Sequence, residues 1–303
     1  MRTNNPLNKI FLTLVLGAFL LSSCGKPTDS TSITDSTSDV TSDTSSNSSG
    51  TTGTDTASNT STGTSSGNTS TSTDTGNYYS TISSSATGTT LLTSLRSLNS
   101  TKRTRTVGYR NMGQYYKQTD GDPTNSNNII SFYSGTSAPF NGSFQTNFNR
   151  EHVWPNSRGG SAVEDDIHVT RPTLTAENSS RGNSFYVQGM NSSSNGWDPG
   201  AVSWGDAKYR GIAARIIFYC VVANSGLKLV DLTNDSTGNK SMGKLSDLLN
   251  WNLQYEIDET EIQRNEAVIT IQGNRNPFID DPSYACKIWG STNSTTKSIC
   301  NIS

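Results

Sequence analysis

The chain has 303 residues, with 23 Lys and Arg against 25 Asp and Glu, a formal net charge of −2 and 31% hydrophobic residues. That balance excludes the strongly basic profile of a typical nucleic-acid-binding module, so any binding to phosphate must rest on locally gathered charge. Three of the basic and six of the acidic residues precede position 78, which leaves 20 and 19, about +1, for residues 78–303.

The first residues set the compartment. Arg2 and Lys9 precede an apolar run, Ile10 to Leu21, that ends in Leu21-Ser22-Ser23-Cys24-Gly25. The run is too short to span a bilayer but suits a secretory h-region. The small residues before Cys24 resemble a bacterial lipobox, which implies a signal peptide over 1–23 and lipidation at Cys24. The expected location is exported: a bacterial membrane lipoprotein on the cell surface or periplasmic face, held by its acyl chains alone. Residues after Cys24, up to 77, are almost entirely Ser, Thr, Asp, Gly and Asn, too polar to offset their own ordering entropy. Roughly fifty such residues reach about 40 Å, so 24–77 is expected to be a disordered tether. Residues 78–303 suffice for one domain with a substantial core.

Within that domain Leu91, Leu92, Leu95 and Leu98 recur at helical spacing. The basic run Lys102, Arg103, Arg105 and Arg110 follows; it could face phosphates or be a solvated surface, and both readings stay open. Tyr109 to Tyr116 is expected as a short helix, Ile129 to Tyr133 as a β-type run closed by Ser134-Gly135, and Phe148 to Trp154 as partly strand, ended by Pro155. Tyr209 to Ala223 is apolar on most faces and predicts a buried helix, with Cys220 a buried free thiol. Ser246 to Tyr255 predicts another helix. Cys286 and Cys300 flank a Ser/Thr-rich loop, and an exported protein permits a disulfide between them. Few segments alternate strictly, so the sheets should be small and the fold class α+β, mixed and helix-rich in a single domain.

The chain holds 2 histidines, His152 and His168, each beside carboxylates: Glu151 before the first, Asp165 and Asp166 before the second. Asparagines and an arginine gather in Glu177-Asn178-Ser179-Ser180-Arg181-Gly182-Asn183. Phosphodiester hydrolysis needs this inventory. Imidazole can take a proton from water near neutrality, oxygen ligands can hold a hard cation, and arginine can clamp phosphate. On an ideal strand Glu151 and His152 point to opposite faces, so one shared site requires the strand to be irregular or ending there. Either histidine could equally tie a loop together, a reading that favours His168.

Asn149-Arg150-Glu151-His152-Val153-Trp154-Pro155-Asn156-Ser157 resembles the signature of the bacterial endonuclease I family, secreted or periplasmic nucleases with a ββα-metal (His-Me finger) site. Asp166-Ile167-His168 with Arg181-Gly182-Asn183, Tyr209 to Arg215, Gln272 to Asp280 and Ile288-Trp289 match in order, and the resemblance spans 78 to 290. It implies a fold built around the ββα-metal motif. It also implies a largely sequence-nonspecific endonuclease of DNA, RNA or both that leaves 5′-phosphates, and that works as a monomer. His152 would be the general base. Glu151 and Asn183 would be ligands to a single Mg2+ (or Ca2+ or Mn2+), and Arg181 and Arg158 would support the site or touch phosphate. His168 and Asn178 would stand behind the ligands. Two departures from the family pattern touch these roles: the short interval between the histidines leaves Arg158 as the counterpart of a phosphate arginine, and Val169-Thr170 change the surroundings of His168. The Asn274 to Asp280 stretch is expected to be structural. Two other functions compete: a zinc hydrolase using both histidines and an aspartate, and a non-catalytic surface lipoprotein that binds nucleic acid or a host ligand.

Overall fold

A computed structural model describes residues 75–144, 147–192, 196–235 and 239–303. The chain divides into two units, Met1–Gly67 and Asn68–Ser303, and everything described lies in the second. The signal segment, Cys24 and the tether up to residue 74 lie outside the described residues. Among the described residues no helix is long and apolar enough to cross a membrane.

Helix α1 (Thr75–Tyr78) is a single turn, and α2 (Gly88–Lys102) follows with Leu91, Leu95 and Leu98 buried along one stripe. The expected helix at 109–116 is instead a tight 3-10 turn, Tyr109–Gln114, entered through Gly108 at φ +80°, and then the short α3 (Tyr116–Thr119). Strands β1 (Gly121–Asp122), β2 (Asn125–Ile130) and β3 (Ser137–Pro139) form an antiparallel sheet in that order. Only Ile129 and Ile130 of the apolar run at 129–133 lie in β2. Beyond them the chain turns, with the Phe132 amide bonded to the Pro172 carbonyl at 2.9 Å, so these apolar residues serve the core and not the ladder.

Next come β4 (Phe148–His152) and β5 (Thr170–Leu174), an antiparallel pair with Glu151 opposite Arg171 and His152 opposite Thr170. Helix α4 (Thr175–Arg181) leaves β5 with no intervening loop. The connection between β4 and β5 turns tightly: a Cβ on Gly160 would stand 1.9 Å from the Trp154 carbonyl oxygen, so glycine is required there. Strands β6 (Asn191–Ser192) and β7 (Gly196–Trp197) pair before α5 (Tyr209–Ala223), which is buried over nearly its whole surface. A short parallel pair, β8 (Lys228–Leu229) and β9 (Ser241–Met242), leads to α6 (Leu245–Gln254).

Helix α7 (Glu259–Gln272) is not foretold by apolar spacing, because its buried face carries Glu261, Arg264, Asn265 and Gln272 alongside Val268 and Ile271. Its ends do carry signals: Asp258 accepts from the Glu261 amide, and Gly273 follows at φ +92°. Arg215 of α5 meets Glu261 through two nitrogens, one at 2.7 Å, so a buried ion pair joins α5 to α7. Short helices α8 (Pro277–Asp280), α9 (Ser283–Trp289) and α10 (Ser294–Ile299) complete the chain. Cys286 and Cys300 are disulfide-bonded across the last two, a closed loop worth roughly 3 kcal/mol in chain entropy. Cys220 is free and buried.

The result is a mixed α and β architecture with small sheets and two apolar clusters. The larger surrounds α5 and includes Val153, Trp154, Trp197 and Trp251; the smaller gathers Met112, Tyr116, Phe148, Ile167 and Val268. Phe148 anchors the start of β4 in one cluster, and Val153 and Trp154, just past its end, anchor it in the other. The polar residues Arg150, Glu151 and His152 are held rigidly between the two.

Candidate active site

The two-residue period of β4 sends its consecutive polar side chains to different surroundings. Glu151 turns inward and is 2% exposed. Its Oε1 accepts a hydrogen bond from the Tyr133 hydroxyl at 2.7 Å, and the Tyr133 hydroxyl oxygen lies 2.6 Å from that of Tyr186. Arg181 Nη1 stands 3.6 Å from the same Oε1. No hydrogen bond from the described residues reaches Glu151 Oε2. Tyr133 holds a backbone φ of +90°, a conformation that costs a non-glycine residue on the order of 1–3 kcal/mol. Its hydroxyl contacts and the 4.7 Å packing of its ring on Trp197 keep it there.

His152 is the last residue of β4. The ring turns outward, stacks on Tyr109 at 4.8 Å between centroids, and places Nε2 3.1 Å from Glu164 Oε2. A carboxylate accepts, so the proton belongs on Nε2 and the Nδ1 lone pair is left free. Asn156 Nδ2 donates to the same Glu164 oxygen at 3.2 Å and steadies it. Burial pushes the His152 pKa below its ordinary value, against the opposing pull of the Glu164 hydrogen bond and of the Glu151 and Glu164 charges. The imidazole is therefore neutral at pH 7 and able to take a proton.

Arg181, at the end of α4, is 1% exposed. Nη2 donates to the Val153 carbonyl at 2.7 Å, Nη1 to the His152 carbonyl at 3.3 Å, and the guanidinium lies over the Tyr186 ring. It fastens the end of β4 and neutralises Glu151; it does not face solvent. Arg150 shares the outward face of β4 with His152, two residues on, and its guanidinium sits over the rings of Tyr109 at 4.2 Å and Phe144 at 4.5 Å.

Arg158 donates Nε to the Asn183 carbonyl at 2.7 Å, Nη1 to the Asp235 carbonyl and Nη2 to Asn234 Oδ1, so all three nitrogens tie loops together. A phosphate would have to displace those bonds. Asn183 is exposed and lies one residue beyond Gly182, which ends α4 at φ +58°. Asn178, half-buried, stands three residues before Arg181 on α4 and hence on the helix face that reaches Glu151. His168, expected behind the ligands, is bonded into a buried network with Asn274 and Asp166. Its Nε2 contacts the Asn274 carbonyl at 3.0 Å and its amide donates to Asp166 Oδ1, while Asp166 also accepts from Tyr219 and Gln272. His168 precedes β5, and its ring is drawn into this buried network, where burial lowers its pKa to about 4. Arg275 pairs with Asp280 at 2.7 Å and Asn276 caps α8, so the Asn274 to Asp280 stretch is structural.

Sequence reasoning missed Glu164, Tyr133, Tyr186, Tyr109 and Arg150. Glu164 had a signal, since it opens the acidic triplet before Ile167-His168; the tyrosines had none, because their contacts to the hairpin cross long stretches of chain.

The side chains gathered at β4 and α4 include oxygen donors of the kind a hard cation takes. A buried carboxylate with one oxygen unengaged, next to a helix face carrying an asparagine amide, is an oxygen set. Among the described residues no group of three His, Cys, Asp or Glu side chains converges, as the zinc hydrolase alternative requires.

The family model described as Endonuclease I matches residues 87–283. An extracellular ribonuclease of Bacillus amyloliquefaciens is 40% identical over 201 residues, 60% of this chain and 68% of that protein. An extracellular ribonuclease of Bacillus subtilis (strain 168) is 38% identical over 201 residues, 60% of this chain and 69% of that protein.

Proposed function

The chain belongs to the endonuclease I family and is a nuclease; from that premise we propose an exported, metal-dependent endonuclease of the ββα-metal type that uses His152 as its general base. RNA is proposed as a substrate after the name its relatives carry, and DNA alongside it, because the gathered side chains address phosphate and not sugar. Cutting should show little sequence preference for the same reason.

The reaction is hydrolysis at phosphorus. Nδ1 of His152 takes a proton from water as the water oxygen bonds to phosphorus, and the bond from phosphorus to the 3′ oxygen breaks. The leaving 3′ oxygen takes a proton from solvent water, the proton on His152 returns to solvent, and the product carries a 5′-phosphate. Glu164 fixes the tautomer and direction of the imidazole. Arg150, on the same face and without a carboxylate partner among the described residues, is placed to meet the phosphate. Tyr133 and Arg181 hold Glu151. One divalent ion, Mg2+ with Ca2+ or Mn2+ as substitutes, would be held by Glu151 Oε2 and an asparagine amide, and would offset charge on the phosphate and the leaving oxygen. The helix-face placement supports Asn178 as that amide, with Asn183, matched by sequence, as the competing choice. Export, lipidation at Cys24 and a 24–77 tether to residues 78–303, acting as a monomer, complete the proposal.

The observation that carries this reading is the neutral, half-buried His152 oriented by Glu164 beside a buried, half-satisfied Glu151. Digestion of plasmid DNA and ribosomal RNA with and without EDTA, followed by analysis of the ends, tests it. Metal-dependent cutting with 5′-phosphate and 3′-hydroxyl ends is expected. A 2′,3′-cyclic phosphate on RNA would mean that the 2′-hydroxyl, not water, attacks.

A further inference from the structure

The acidic triplet after the hairpin turn joins the base to a second feature. Glu164 contacts His152, and the next residue, Asp165, gives its carbonyl to Arg103 Nη2 at 2.9 Å and a carboxylate oxygen to the Tyr109 amide at 2.7 Å. Arg103 in turn lines a cavity of about 490 Å3 beside the C-terminal ends of α2 and α5, together with Arg96 and Arg105. Threonine and serine hydroxyls line it too, and none of its lining residues is a carboxylate.

Each arginine has a structural use that leaves donors over. Arg96 Nε caps the end of α5 through the Val221 carbonyl at 3.1 Å, and neither Nη is bonded among the described residues. Arg105 only rests over the Tyr115 ring, at 5.4 Å. Arg103 pairs weakly with Asp166 at 3.6 Å, while its buried Nε has no partner. The wall is also rigid: the amides of Thr104 and Arg105 both bond the Gln272 carbonyl, at 3.0 and 3.4 Å. Three arginines line this concavity with no carboxylate among its lining residues, so an anion entering it meets positive charge with donors to spare. Guanidinium forks match phosphate oxygens.

We propose that the Arg96, Arg103 and Arg105 cup is a phosphate subsite that holds the nucleic-acid backbone a few nucleotides from the bond being cut. The inference rests on the nuclease reading. The link to the reaction centre is covalent and short, because Asp165 and Glu164 are neighbours whose Cα atoms stand about 3.8 Å apart. It also suits a near-neutral domain acting on a polyanion, since three of its arginines line one concavity with no carboxylate among the lining residues.

The test uses wild type, Arg96→Gln, Arg105→Gln and the double variant on oligonucleotides of one sequence and increasing length. Arg103 is left intact because its loss would strand the buried Asp166. On long substrates the double variant should raise KM about tenfold and reduce the salt slope by about one. Its kcat and its cutting of the shortest substrate should match wild type. An unchanged KM and salt slope on long substrates would overturn the proposal, and so would an equal loss at every length. Inorganic phosphate is the control probe: if it raises Tm in wild type but not in the double variant, with no length-dependent difference between them, the cup is a free-anion site and the proposal fails. Failure of the nuclease reading itself would appear separately, as no cutting by wild type at any length.

Discussion

Removing the Glu164 carboxylate isolates the part of the site that prepares the base. Its Oε2 receives His152 Nε2 at 3.1 Å and Asn156 Nδ2 at 3.2 Å, and the Glu164 side chain is 28% exposed. A hydrogen bond to a charged group at such a depth contributes about 1.5–3 kcal/mol. If the transition state, in which the ring becomes positive, uses all of it, Glu164→Ala lowers kcat by roughly ten- to a hundredfold. Glu164→Gln should lose less, since its amide oxygen still accepts from Nε2 and keeps the tautomer. The pH profile gives a second readout. Glu164 raises the His152 pKa through its hydrogen bond and its charge, so both variants let burial pull that pKa lower still. The base works when neutral, and activity is lost as pH falls through its pKa. The acid limb of kcat/KM should therefore move to lower pH in both variants. Initial rates on a fluorogenic oligonucleotide at saturating Mg2+ measure both effects. A Glu164→Ala enzyme within twofold of wild type, with an unmoved acid limb, would refute the reasoning.

Other expectations follow from the same contacts. His152→Ala should lose about 10²–10⁴-fold in rate with near-normal nucleic-acid affinity and thermal stability; retention of more than a tenth of the rate would end its assignment as base. Asn178→Ala should shift half-maximal activity to higher Mg2+ while Asn183→Ala should not, and the reverse result in a metal titration would restore Asn183 as ligand. His168 has a folded pKa of about 4 against an ordinary 6.5, so the unfolded chain binds the extra proton between those values. Stability should fall by up to about 3 kcal/mol as pH drops through that window, and denaturant unfolding of His168→Gln should show a flatter acid dependence. Cys24→Ser should leave the protein unlipidated and release it from the membrane fraction; persistent palmitate labelling would contradict that.

Helices α2 and α5 were legible because their burial follows apolar periodicity, and α6 nearly so. Helix α7 was not, since polar and charged residues fill most of its buried face and only their partners, such as Arg215, make that burial tolerable. Ile129 to Tyr133 has strand-like composition, yet its last residues obey the core and the hydroxyl bond of Tyr133 to Glu151, a contact across 18 positions with no local mark. The same limit affects the site. His152 and Glu151 stand in a recognisable string, whereas Asn178 and Asn183 look alike there, and they differ only in which side of the end of α4 they occupy.

The opposite-face argument from strand periodicity has a consequence for how the site works. Glu151 and His152 do diverge, and β4 is not distorted to bring them together; it stops at His152 and uses both faces. Inside, Arg181 and Tyr133 compensate a carboxylate that would otherwise carry an unpaired buried charge. Outside, Glu164 orients an imidazole that burial keeps neutral. The Glu151 charge does act on the neighbouring imidazole and pulls its pKa upward, towards the protonated form that cannot serve as base, but burial of the ring outweighs that pull. Burial of the ring, and not distance from Glu151, is thus what keeps the proposed general base neutral beside the carboxylate proposed to hold the cation.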